Sequence, residues 1–126
     1  MPSVGHTWQL SFLGQPQQAR HVRAWVRLRI AEHAADEHFT PDPESVADIA
    51  LLADELFVAV LATQPGKIDM KLSTSGDRAR IYATGPAPLP LRSRVGVGIV
   101  QGLATVRGSE NDDRTIWAEG KIGRTS

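Results

Sequence analysis

The stretch LADELFVAVLATQPG, residues 52–66, decides the fold because it predicts an amphipathic helix with a defined end. Its apolar residues extend a series that recurs every three and four positions, which is the spacing of one helix face. Gln64-Pro65-Gly66 ends the helix. Upstream, Asp42 can cap the first turn, where Pro43 is also favoured. A long helix is therefore predicted between these two signals.

The other elements follow from changes of hydrophobic period along the chain. In chain order they are a strand at 7–14, a helix from Pro16, the helix described above, two strands that turn at 75–77, a proline-rich loop at 85–94, a short helix at 95–106 and a strand at 114–122, with one further strand near 105–109. This order predicts an α+β fold, a two-layer sandwich in which a mainly antiparallel sheet carries helices on one face. A chain of 126 residues fits one domain, 1–126.

Composition excludes several classes of protein. Apolar residues make up 41% and charged residues 22%, which is ordinary for a soluble globular protein. The sequence has no apolar run long enough for a membrane span and no signal peptide. The absence of cysteine excludes disulfides, and a formal net charge of zero gives no support for nucleic-acid binding. We therefore expect a cytoplasmic protein without a nucleic-acid or membrane partner.

The charges are separated by sign along the chain. The only Lys or Arg residues between 16 and 31 are arginines, and Arg20, Arg23 and Arg27 fall on one helix face. Residues 42–63 contain only acidic charges. Two interpretations fit: the segments are neighbouring helices whose charges attract, or the three arginines bind an acidic partner.

The order of parts, from FLGQPQQARHVRAWV to RTIWAE, resembles the GHKL ATPase family of histidine-kinase-like proteins. Within it the chain is most similar to the small anti-sigma-factor-type regulators that are abundant in actinobacteria. The resemblance covers nearly the whole chain. It implies the Bergerat-type fold of that family, an ATP and Mg²⁺ site, and serine/threonine kinase activity in active members.

The long helix carries the first family motif, a Glu followed four residues later by an Asn. In active relatives the Glu orients or deprotonates a water or hydroxyl, and the Asn oxygen holds Mg²⁺. Glu55 matches the Glu, but Ala59 stands at the Asn position. A methyl group cannot ligate Mg²⁺, which takes oxygen ligands. Glu55 is therefore expected to be vestigial, with no metal site and no catalytic residue.

The second motif, Asp-x-Gly-x-Gly after the hairpin, aligns with ATGPAP. The Asp of active relatives accepts a hydrogen bond from the adenine amino group. Ala83 stands at that position, Gly85 matches the first Gly, and Ala87 replaces the second. Losing the carboxylate removes the main adenine-specific hydrogen bond, which is worth several kcal/mol of discrimination.

The third motif, Gly-x-Gly at a helix entry, is retained as Gly96 and Gly98, where backbone N–H groups can hold an anion. Arg92 and Arg94 lie just upstream, and Thr115 matches a family position near the adenine. If nucleotide binding survives, Glu55, Gly85, Gly96, Gly98 and Thr115 would form the site. Each of these residues also has an ordinary structural explanation, such as tight turns at the glycines and strand propensity at Thr115.

Three functions remain open at this point. The resemblance, together with Ala59 and Ala83, favours a regulatory protein-binding module without nucleotide cofactor. Its implied partners are a sigma factor, an anti-anti-sigma protein or another regulator, and a second copy of the chain. The alternatives are an ATP-dependent anti-sigma kinase that tolerates the substitutions, and a binder of a small ligand or anion at the Gly96–Gly98 turn.

The stretch EHAADEHF, residues 32–39, contains a His33–Glu37 pair at the spacing of two metal ligands. Without a third ligand nearby, it is interpreted as a solvated helix end.

Overall fold

The structure, a computed structural model, describes residues 5–90 and 106–125. Its elements are β1 (His6–Leu13), a 3-10 turn (Pro16–Gln18), α1 (Ala19–Asp36), β2 (Thr40–Pro41), α2 (Pro43–Leu61), β3 (Lys67–Ser75), β4 (Arg78–Thr84), β5 (Val106–Glu110), β6 (Thr115–Lys121) and β7 (Arg124–Thr125).

Five strands form one sheet in the order β1-β3-β4-β6-β5, and every neighbouring pair is antiparallel. Both helices pack on the same face of this sheet. The predicted two-layer α+β architecture, with a mainly antiparallel sheet and helices on one side, is confirmed.

The core lies between the sheet and the helices. Alternate residues of the central strands point into it and are almost completely buried: Ile68, Met70, Leu72, Ala79, Ile81, Ala83, Ile116 and Ala118. The apolar face of α2 meets them with Leu52, Leu56 and Phe57, all fully buried. Burying each such large side chain stabilises the fold by about 1.5–3 kcal/mol, so α2 and the three central strands provide most of the apolar burial.

Local signals placed the ends of several elements correctly. The Asp42 carboxylate accepts a hydrogen bond from the backbone N–H of Ser45 at 3.1 Å, which is the predicted N-cap of α2. Gly76 turns the β3–β4 hairpin with a φ of 56°. The further strand near 105–109 is β5. The predicted short helix at 95–106 lies outside the described residues, apart from Val106, which begins β5.

The structure corrects three local details. The first helix begins as the 3-10 turn at Pro16 and becomes an α-helix at Ala19. In β1, Leu10 shares the inner face with Phe12 but stays 46% exposed, because β1 is an edge strand. The short ribbon of β2 and β7 was not predicted, since its two strands are only two residues long and distant in sequence.

His33 does not belong to a solvated helix end, as the sequence suggested, because it is fully buried. It follows Val26 and Ile30 by seven and three residues, so helical spacing puts it on the buried face of α1. Its ring can be buried because both nitrogens have partners. Nε2 lies 2.7 Å from the carbonyl oxygen of Gly76, and Nδ1 lies 2.9 Å from Nδ1 of His6.

Candidate functional site

The region where the resemblance places a nucleotide lies between the C-terminal half of α2 and the end of β4. Glu55 and Ala59 are one turn apart on α2, and both are half-buried. Ala59 packs against the hydrophobic core. The helix therefore presents a carboxylate and a methyl group on this side, and the methyl group contributes to packing.

Ala83 is fully buried in β4, directly between Met70 of β3 and Ile116 of β6. Both neighbours are about 1% exposed, and all three side chains face the helices. The position at which the resemblance expects an adenine acceptor is therefore part of an apolar core.

Gly85 follows at the point where β4 touches α2. Its backbone N–H donates to the carbonyl oxygen of Arg114 at 3.1 Å. A Cβ atom added at Gly85 would lie 2.7 Å from Cγ1 of Val60, which is closer than two carbon atoms can approach without displacement. Glycine is required here by this close packing, whether or not a ligand binds.

The proline-rich segment after Gly85 is fixed to the rest of the protein by Leu89. The Leu89 side chain is 3% exposed and belongs to the hydrophobic core, and its N–H donates to the carbonyl oxygen of Asp113 at 2.8 Å. Ala87, at the position of the second family glycine, is exposed. The proline-rich segment thus contributes a leucine to the core.

The residues present do not fit ATP and Mg²⁺ in this region. Ala59 offers no oxygen to the metal, and Ala83 offers no acceptor to an adenine amino group. Within residues 5–90 and 106–125, no group of three or more His, Asp or Glu side chains is placed to hold a metal ion. Gly96, Gly98, Arg92 and Arg94 lie outside the described residues, so the third motif remains a prediction.

Thr115 lies on the opposite face of the sheet from Ala83. Ile116 points into the core, so its neighbour Thr115 must point outward, away from Glu55 and Ala83. The Thr115 hydroxyl lies 2.7 Å from the Thr84 hydroxyl and accepts a hydrogen bond from Asn111 Nδ2 at 2.9 Å. Ala83 therefore faces the helices, Gly85 lies beside Val60 of α2, and Thr115 lies on the other side of the sheet.

The outer face of the sheet carries a shallow polar cavity that the sequence did not suggest. Its volume is about 460 Å³, and its polar lining includes Ser11, Asp69, Lys71, Tyr82, Asn111 and Thr115. The Lys71 ammonium lies 4.0 Å from the centre of the Tyr82 ring. The alternation of polar residues along β3 and β4 is the sequence feature that could have indicated this polar face. The lining groups satisfy one another, since Ser11 donates to Asp69 and Thr84 pairs with Thr115.

Arg80 and Trp117 form a second stacked pair on this outer face, with the guanidinium carbon 4.0 Å from the ring centre. Arg80 also forms an ion pair with Glu119 at 3.2 Å. Desolvation lowers the pKa of Arg80, but hydrogen bonding and charge at Tyr82 and Glu119 outweigh it, so the pKa lies above its ordinary value. Arg80 is a permanent cation and can hold the Trp117 ring at every accessible pH.

Arg20, Arg23 and Arg27, the three arginines of α1 that the sequence places on one helix face, do not share one environment. Arg23 is half-buried and forms an ion pair with Asp54 of α2 at 3.1 Å, whereas Arg20 and Arg27 are exposed. Of the two interpretations of these arginines, attraction between neighbouring helices is therefore the one that applies to Arg23. Partner binding stays a prediction, and Arg20 and Arg27 are the residues still available for it.

The buried His33 belongs to a chain of polar contacts that links α1, β1 and the β3–β4 turn. His6 Nε2 forms an ion-pair contact with the Asp36 carboxylate at 3.1 Å, and the His6 ring stacks on Trp8. The Gly76 carbonyl oxygen can only accept, so Nε2 of His33 donates to it. Asp36, His6, His33 and Gly76 thus form one continuous series of polar contacts.

Comparisons with known proteins do not assign this chain. No family model matches it, and no curated protein matches it. In the described part of the chain, neither helix is long and apolar enough to cross a bilayer.

Proposed function

We propose that this protein is a regulatory protein-binding module with a GHKL-type fold, similar to anti-sigma factors, in which nucleotide chemistry has been lost. The observation that carries the proposal is Ala83, a methyl group buried between Met70 and Ile116 where an active relative has its adenine acceptor. Ala59 and Leu89 support it, because both pack against or within the core beside the same region.

The experiment that tests the loss of nucleotide chemistry is calorimetric titration with ATP in the presence and absence of MgCl₂. A dissociation constant weaker than about 1 mM is expected, since neither the metal nor the adenine has its protein ligand. Micromolar, Mg²⁺-dependent binding would contradict the proposal and favour the kinase alternative. Tight binding of inorganic phosphate alone would favour the anion binder instead.

The proposed partner is an acidic segment of a regulatory protein such as a sigma factor or an anti-anti-sigma protein, bound at Arg20 and Arg27 in the cytoplasm. Both side chains are exposed on α1, and like charges on one helix face gain most when carboxylates oppose them. Immobilised protein should capture fewer host proteins at low salt when both arginines are replaced by Gln. Arg29→Gln is the matched control, because Arg29 is already bound to Glu32 at 2.9 Å.

A further inference from the structure

We propose that the outer face of the sheet, opposite the helices, binds single-stranded nucleic acid. On this face Tyr82 of β4 lies directly opposite Trp117 of β6, and Lys71 of β3 lies directly opposite Tyr82 on its other side. These side chains point outward, because the residues on either side of each in its strand are buried in the inner face. Lys71, Tyr82 and Trp117 thus form a row across three neighbouring strands, the cross-strand row.

Each aromatic ring of the cross-strand row carries a cation. The Lys71 ammonium lies 4.0 Å from the centre of the Tyr82 ring, and the Arg80 guanidinium carbon lies 4.0 Å from the centre of the Trp117 ring. Both rings are half-buried, so part of each is accessible. Proteins bind single strands by stacking bases on aromatic rings or guanidinium planes and by pairing phosphates with cations. The cross-strand row offers both kinds of group.

The charges of the outer face favour a polyanion, although the formal net charge of the whole chain is zero. The outward-facing residues of β3, β4, β5 and β6 include five cations and three carboxylates, namely Lys67, Lys71, Arg78, Arg80 and Lys121, and Asp69, Glu110 and Glu119. Glu119 is paired with Arg80, whereas Lys71 forms no ion pair with another described residue. This face is therefore more basic than the net charge indicates.

The cavity on the outer face adjoins the cross-strand row, since Lys71 and Tyr82 line it. Gln9 and Asn111 are exposed at its margin, and their side-chain amides can both donate to and accept from the edge of a base. Its volume of about 460 Å³ lies within the range of ligand pockets, about 300–1,000 Å³. An unpaired base thus has polar partners beside the row.

A single strand suits this face better than a duplex or an acidic peptide. The bases of a duplex are stacked on one another, and reading them requires an element that enters a groove, whereas the cross-strand row lies on the face of a sheet. An acidic peptide would pair with the cations but has no base to stack on Arg80 or on the exposed part of the rings. The unstacked bases and the phosphates of a single strand use all of these groups.

Fluorescence anisotropy of labelled oligo(dT) and oligo(U), each about ten nucleotides long and titrated with the full chain, tests the proposal. A dissociation constant on the order of 1–100 μM is expected in about 50 mM NaCl. Trp117→Leu should weaken binding at least about fivefold, because it removes the ring beneath Arg80.

Lys71→Gln and Arg27→Gln form a matched pair, because each removes one positive charge and Arg27 is exposed on α1, on the helix side of the sheet. Lys71→Gln should weaken binding by about three- to tenfold and lower the slope of log affinity against log salt by about 0.7. Arg27→Gln should leave both unchanged. The Lys71 pair keeps the test valid if circular dichroism shows that Trp117→Leu does not fold.

Tryptophan emission gives a readout that general electrostatic attraction would not move. Of the three tryptophans, Trp117 is on the outer face, whereas Trp8 shares the inner face of the sheet with Phe12 and Trp25 is buried. Bound oligonucleotide should quench the emission of the wild type. Trp117→Phe keeps an aromatic ring, so it should bind with similar affinity but lose the quenching.

Four results would each overturn the proposal: no binding of either oligonucleotide, equal losses in Lys71→Gln and Arg27→Gln, a duplex of the same length that binds as tightly, or poly-glutamate that binds more tightly. The last result would assign the face to an acidic protein segment instead. Binding at the cross-strand row needs neither Mg²⁺ nor the region of Ala59 and Ala83, so its failure would leave the proposed regulatory function untouched.

Discussion

At the residue scale, Ala83 occupies a position where the core favours an apolar side chain, whereas the family resemblance predicts an Asp. Its side chain is fully buried between two apolar neighbours. Ala83→Asp, which restores the family acceptor, should lower the free energy of unfolding by at least about 3 kcal/mol at pH 7, because it buries an unpaired carboxylate. Urea denaturation measures this loss.

The matched controls for Ala83→Asp are Ala83→Ser, at the same position without a charge, and Ala59→Asn, at a half-buried position. Both should cost less than Ala83→Asp. A burial penalty raises the pKa of a carboxyl group, so the introduced Asp should destabilise less at pH 4 than at pH 7. A stable Ala83→Asp chain that binds ATP would show that the region admits polar groups.

The His6–His33 contact joins β1 to the buried face of α1. His33 is fully buried, and its ring nitrogens lie 2.7 Å from the Gly76 carbonyl oxygen and 2.9 Å from Nδ1 of His6. His6→Phe should lower the free energy of unfolding by about 1–3 kcal/mol, because it leaves a buried ring nitrogen of His33 without its partner. Urea denaturation measures the loss.

His21→Gln is the control for His6→Phe, because His21 is exposed on α1 and should change stability little. An unchanged free energy of unfolding in His6→Phe would contradict a stabilising contact between the two rings.

At the scale of elements, an ion pair between Arg23 and Asp54 links the two helices. The sequence alone had left open whether Arg23 pairs with the neighbouring helix or binds a partner. Arg23→Gln should lower the free energy of unfolding by about 0.2–1 kcal/mol at low salt, since both partners of the pair with Asp54 are partly exposed. Added salt should reduce the difference from the wild type. Arg27→Gln should change stability by less, and an equal loss at both positions would argue against a specific pair.

Elements with local signals could be predicted from the sequence, and those that depend on distant contacts could not. The cap at Asp42 and the turn at Gly76 are encoded within a few residues of themselves. The β2–β7 ribbon joins residues more than 80 positions apart, and its strands are too short to show a period. His33 lay on the apolar face of α1 by spacing, but its partners, His6 and Gly76, are on other elements.

The same distinction applies to the candidate site. The resemblance marks Ala59 and Ala83 as positions where the family has polar groups, and the structure shows that both alanines pack into or against the core. Thr115 was grouped with them through the resemblance alone. Its neighbour Ile116 is buried, and strand alternation then puts Thr115 on the other face. Strand alternation applied to residues 115 and 116 could have indicated this from the sequence.

At the scale of the whole molecule, the three central strands of the sheet differ from the two strands at its edges in the number of neighbours with which they pair. β3, β4 and β6 each pair on both sides and carry fully buried residues such as Leu72, Ile81 and Ala118. In native-state hydrogen exchange their amides should be the slowest, opening only with global unfolding. The amides of β5 should exchange through smaller openings, because among the described residues β5 pairs only with β6.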